Sequence, residues 1–128
     1  MNALLDTHTF LWWVLEKPEL SDTAHDFIVD PSNAIFFSTV SAWKMAIKCS
    51  IGKLTLPDHP RSFIKQQVQI NNFTPMPIQL EHGLFVHELP RFHKDPFDRL
   101  LIAQSTLEDI PILSADSIFK NYSISLIW

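Results

Sequence analysis

The side chains with the most chemistry to offer are aspartates: Asp6, Asp98 and Asp116, with Asp95 shortly before Asp98. Crowded carboxylates repel, and a cluster of them persists only if some protonate or a cation lies among them. Oxygen donors with no supporting cysteine or histidine set suit Mg²⁺ or Mn²⁺. Ions held this way generate hydroxide and offset charge on a phosphoryl group in transit, so the implied reaction class is phosphodiester hydrolysis. Taken singly, Asp6 and Asp116 read equally well as helix caps. Asp95 and Asp98 likewise fit the cap and first turn of a helix that Pro96 opens. Ligation becomes the better reading only if all these acids reach one place.

The elements that must bring them there follow from pattern. Asn2 to Leu5 reads as a short buried strand ending at Asp6, followed by a helix from Thr7 to Leu15 with Thr7 or Thr9 as possible caps. Trp12 and Trp13 point about 100° apart on such a helix, so at least one must meet another element or another chain. Ser21 caps a helix to Val29, and Ala34 to Ser38 is an apolar run typical of a strand buried on both faces. A helix over Val40–Ile51 stops at Gly52, and Pro60 starts another that runs to about Asn71. Pro75 and Pro77 restrict any strand over Phe73–Ile78 to a short or edge position. Gln79–Leu89 reads as a helix, and the helix opened by Asp95-Pro96 continues to Glu108. Pro111–Ser114 is a short strand leading to Asp116, and Ile124–Ile127 is a weak last one. Strands alternating with helices imply a parallel sheet covered on both faces, with ligands at the carboxyl ends of its strands. Asp6 and Asp116 follow strands at that end, and Asp98 starts the helix leading into the fourth.

Composition narrows the field. The 128 residues are 46% hydrophobic and 19% charged, which describes an ordered globular chain. With 2 glycines, Gly52 and Gly83, a glycine-rich phosphate loop is excluded. A single cysteine, Cys49, forms no internal disulfide, which points to a reducing cytoplasm. No apolar run is long enough to span a membrane. The net charge of −4 argues against nucleic acid, yet the cations are unevenly placed. From Pro31 to Leu80 they are Lys44, Lys48, Lys53, Arg61 and Lys65 against Asp58 alone, a basic stretch compatible with a phosphate backbone. The 6 histidines show no zinc-like pairing and read as surface or capping residues.

Leu4-Leu5-Asp6-Thr7, Asp95-Pro96-Phe97-Asp98-Arg99 and Leu113-Ser114-Ala115-Asp116, with Ser41-Ala42-Trp43 and Gly52-Lys53-Leu54, resemble the PIN-domain ribonucleases, specifically the VapC-type toxins. The likeness runs nearly end to end. It implies one PIN-like domain over residues 1–128, a three-layer α/β/α fold with a short central parallel sheet. It also implies a Mg²⁺- or Mn²⁺-dependent endoribonuclease acting on RNA such as tRNA, a homodimer, and a cognate antitoxin as partner. Asp6, Asp98 and Asp116 would be its metal-binding and catalytic acids, Asp95 an accessory. Lys48, Lys53 and Arg99 are the candidate RNA contacts.

One position departs from the family pattern. Where a glutamate follows the Ser-Ala-Trp run, this chain has Lys44, and no other acid lies between Asp30 and Asp58. One unit charge at about 4 Å and an effective dielectric of about 20 is worth roughly 4 kcal/mol, so activity is expected to be impaired. Lys44 reads as a change that silences a toxic nuclease, as a natural loss that leaves a protein binding antitoxin or RNA, or as an ammonium standing where a metal would. The first is preferred. A phosphoacceptor signalling domain shares the sheet and acid pocket but wants paired acids after the first strand and a lysine after the last, and both are missing here. The 4 tryptophans and 10 phenylalanines keep a pure interaction protein in view as the rival class.

Overall fold

A computed structural model describes residues 1–128. Five strands, β1 (Asn2–Leu5), β2 (Ala34–Ser38), β3 (Thr74–Met76), β4 (Ile112–Leu113) and β5 (Leu126–Ile127), form one all-parallel sheet in the order β3-β2-β1-β4-β5. Six helices surround it: α1 (Thr7–Val14), α2 (Asp22–Val29), α3 (Thr39–Ser50), α4 (Pro60–Ile70), α5 (Leu80–Phe85) and α6 (Pro96–Glu108). This is the expected α/β/α architecture.

Alternation along the central strands divides the core between the two faces of the sheet. Ala3 and Leu5 join Phe10, Ala24, Ile28, Ile35, Phe37 and Ile64 on one side, under α1, α2 and α4. Leu4 and Ile112 join Leu101, Ile102, Ala103 and Phe119 on the other, under α6. Phe10 is wholly buried, its ring 4.4 Å from that of Phe37. The tryptophans of α1 both meet other elements. Trp12 lies against Trp128, and Trp13 Nε1 donates to Asn71 Oδ1 at 3.0 Å.

Where expectation and structure part, the reason is local. Asp6 caps α1, in place of Thr7 or Thr9: its Oδ1 accepts the Thr9 N–H at 2.7 Å. The helix expected over Gln79–Leu89 ends at Phe85 and tightens into a 3-10 turn, Val86–Glu88. There the carbonyls of Val86 and Leu89 turn to accept from the Arg99 guanidinium. The last two strands are each two residues long, because pairing with β1 and β4 is in register only at Ile112–Leu113 and Leu126–Ile127. Gly52 does stop α3. It takes φ +75°, its N–H donates to the Cys49 carbonyl, and the Lys53 N–H reaches the Lys48 carbonyl, which is the Schellman arrangement.

Candidate acidic site

The register sets Leu5, Phe37 and Leu113 side by side, so Asp6, Ser38 and Ser114 leave the sheet level with one another. Each then turns into a helix or a tight turn whose start must be capped, and polar side chains serve both purposes. Ser38 caps α3 through the Val40 N–H and donates to Gln104 Oε1 of α6 at 2.6 Å. Thr9 Oγ1 donates to the Leu113 carbonyl, and Thr7 Oγ1 to Ser41 Oγ. These buried bonds fix α1, α3 and α6 against the carboxyl edge of the sheet, where an isolated polar group would be costly.

Asp6 is 4% exposed. Its Oδ1 is the cap of α1 and its Oδ2 accepts from Ser114 Oγ. Ser114 Oγ in turn accepts the Asp116 N–H at 3.0 Å, so one hydroxyl ties two of the sequence-predicted acids together. Replacing Ser114 with alanine is expected to lower stability by about 1–2 kcal/mol, since it leaves a buried carboxylate oxygen unmet; urea unfolding checks this. Asp116 itself is exposed, and its carboxylate caps the 3-10 turn Ser117–Asn121 through the Ile118 N–H.

Asp95 and Asp98 start α6. Asp95 Oδ1 accepts the N–H groups of Phe97 and Asp98, at 2.9 and 3.2 Å. Its Oδ2 lies 3.3 Å from Lys44 Nζ, and Asp98 Oδ1 lies 3.9 Å from the same atom. Lys44 is 8% exposed and sits 5.7 Å over the Phe97 ring. It belongs to the second turn of α3 and faces the acids at the start of α6. His93 closes the other side, with Nε2 3.6 Å from Asp98 Oδ2, too long for a hydrogen bond. Its Nδ1 is 2.7 Å from Tyr122 Oη, which also receives an Arg99 N–H. The two ring nitrogens of His93 thus face different partners, Nδ1 toward Tyr122 and Nε2 toward Asp98.

Charge and burial act oppositely on the two acids. Burial pushes Asp98 up from 3.8 to about 6; Lys44 opposes that, Asp95 and Asp6 add to it, and His93 opposes it. Burial works upward on Asp95 too, but the Asp98 N–H, the Lys44 charge and the Phe97 N–H together bring it below the usual carboxylate range. The sign for stability follows. Between 3.8 and about 6 the folded Asp98 holds a proton that the unfolded chain has released, so stability falls as pH rises through that window and levels above it. Asp95 contributes the reverse, a stabilisation lost as pH falls below 3.8. Urea midpoints are therefore expected to be higher at pH 5 than at pH 7, and Asp98→Asn is expected to flatten that slope.

The structure thus brings Asp6, Asp95 and Asp98 within electrostatic reach of one another, with Lys44 and His93 among them, and leaves Asp116 on the rim. As they stand, these residues do not fit a divalent ion. No three acidic, histidine or cysteine side chains are grouped to hold one. Both oxygens of Asp6 are engaged, and an ammonium lies against the carboxylates that remain. Of the candidate RNA contacts, Arg99 is corrected outright. It is 8% exposed and donates to the carbonyls of Pro90, Val86 and Leu89 and to Tyr122 Oη, so its terminal N–H groups are spent inside the fold. Lys48 lies one turn beyond Lys44 on α3, about 6 Å along the axis at about 1.5 Å per residue, and Lys53 lies past the end of that helix. His93 was missed as a site residue. A histidine in a loop has no periodicity to flag it, and only its place two residues before Asp95 hinted at the site.

The chain belongs to the PIN domain family, whose model matches residues 3–124. No curated protein matches its sequence. Among solved structures it is similar to VapBC2 from Rickettsia felis bound to a promoter DNA fragment, with a TM-score of 0.74 and 13% identity over 98% of this chain and 97% of that one. It is also similar to VapBC-5 from Mycobacterium tuberculosis, of the VapBC family of toxin-antitoxin systems (TM-score 0.60, 12% identity, 98% and 94% covered). FitAcB from Neisseria gonorrhoeae shares the fold as well (TM-score 0.63, 12% identity, 98% and 96% covered).

Proposed function

We propose that this chain is a PIN-domain endoribonuclease toxin of a toxin-antitoxin pair whose activity is impaired by Lys44. The observation that carries the reading is the position of that ammonium, 3.3 and 3.9 Å from two carboxylates at the carboxyl edge of a PIN-family sheet. PIN domains are in general nucleases and usually use divalent ions. Asp6, Asp98 and Asp116 are the acids we assign to Mg²⁺ or Mn²⁺, with Asp95 accessory, once the cation of Lys44 is removed. Lys48 and Lys53 remain the proposed cations for RNA, and tRNA the substrate to try first. No helix is long and apolar enough to cross a membrane, and we place the protein in the cytoplasm. A homodimer and an antitoxin are the proposed partners. The toxin-antitoxin neighbours support the antitoxin, and Leu80, Leu84 and Trp43, each more than half exposed, supply apolar surface for such contacts. The test is calorimetric titration of Mn²⁺ into the native chain and its Lys44→Glu variant, followed by incubation of each with total tRNA. Cleavage by neither, with no Mn²⁺ bound, would leave the rival reading, an inactive PIN-like protein that binds antitoxin or RNA.

A further inference from the structure

Beside the acids, on the segment joining α5 to α6, lies a cavity of about 410 Å³ lined by Val86, His87, Arg91, His93, Lys94 and Arg99. Five of these six side chains are basic and none is acidic. Arg91 and Lys94 are exposed and take part in none of the molecule's ion pairs. His93 belongs both to this lining and to the acidic site, and its Nε2 is a buried nitrogen without a hydrogen-bond partner. Arg99 forms the wall, with its guanidinium fixed from inside. Exposed cations normally scatter among acids; here they converge on one concavity in a chain whose net charge is −4.

We infer that this cavity is a phosphate-binding site, separate from the acids but adjoining them through His93, and that it holds a phosphate of the RNA strand next to the bond presented to the carboxylates. The phosphate chemistry follows from the lining: a fork-shaped guanidinium and an ammonium, both free, are the groups that best match phosphate oxygens. The adjacency supplies the reason. A polyanion is repelled by clustered carboxylates, and cations one and four residues before Asp95 offset that repulsion where the strand must pass. The assignment to RNA rests on the ribonuclease reading; the phosphate site itself does not.

The test uses the native chain in EDTA, so that nothing is cleaved, with pyrophosphate and a single-stranded oligoribonucleotide as probes. For Arg91→Gln/Lys94→Gln, the expected result is at least tenfold weaker binding of both. The slope of log K against log salt for RNA should also become shallower by about 0.7, the share of one phosphate contact on a single strand. Arg91→Lys/Lys94→Arg, which keeps the charges, should restore both. Loss of pyrophosphate binding with RNA binding and its salt slope unchanged would overturn the RNA assignment and leave a site for free phosphate. Unchanged binding of both probes, or none of pyrophosphate by the native chain, would overturn the site. Because no arm requires catalysis, its failure is distinct from a failure of Lys44→Glu to cut RNA.

Discussion

Lys44→Glu is expected to raise Mn²⁺ affinity by about a thousandfold or more and to bring metal-dependent RNA cleavage with it. The size follows from charge. A unit charge at about 4 Å and an effective dielectric of about 20 is worth roughly 4 kcal/mol, close to three powers of ten in a binding constant, and the substitution both deletes a cation and adds a ligand. Lys44→Ala separates the two effects, because it clears the ammonium without supplying an oxygen; it should fall between the native chain and the glutamate variant. Stability supplies a readout independent of cleavage. Without metal, the new carboxylate faces Asp95 and Asp98 with no counter-charge and the variant should unfold earlier than the native chain. Added Mn²⁺ should then raise its Tm through preferential binding to the folded state, while the native Tm stays put. Equal Mn²⁺ affinity in native and Lys44→Glu proteins would sink the proposal that Lys44 blocks the site.

The second large effect is expected at Arg99. Its guanidinium ties the first turn of α6 to the carbonyls of Val86, Leu89 and Pro90, and it also holds Tyr122 Oη. Arg99→Met keeps most of the stem but strands those acceptors in a buried setting. Leaving such part-buried carbonyls without their donor typically costs about 1–3 kcal/mol, so thermal and urea midpoints should drop. Lysine should rescue little, because a single ammonium lacks the planar fork that reaches several carbonyls at once. An Arg99→Met protein as stable as the native one would refute the clamp.

Much of this was legible in the residues. Leu4-Leu5 and Ile35-Phe36-Phe37 are continuous apolar runs because their strands are covered on both faces, and Asp95-Pro96 and Gly52 punctuate helices by rules that need no tertiary context. The odd charge at Lys44 was equally visible, since it departs from a pattern. What stayed hidden depends on distant partners. An arginine in a helix's first turn looks the same whether it points to solvent or, like Arg99, to carbonyls several residues upstream. Asp6 was read equally well as a cap or a ligand, with Thr7 and Thr9 as rival caps of α1, because cap-competent residues this close together differ only in where the strand stops. His93 and the cations around it occupy a loop, where no spacing rule assigns a direction.

The order of the sheet has a consequence for how the protein comes into being. The central strand precedes every other element of this fold in the chain, yet β1 pairs on one side with β2 and on the other with β4, whose register begins at Ile112. Contacts this far apart in the chain form late and slowly. Asp6 waits for the Ser114 that steadies it, which comes 108 residues further along the chain. A product of premature termination anywhere before Ile112 therefore lacks β4 and β5 on one side of β1, together with Ser114 and Asp116. Fragments of that kind carry Asp6, Lys44, Asp95 and Asp98 but have no serine to steady the first of them, so the acidic site is completed only by the last part of the fold to be made.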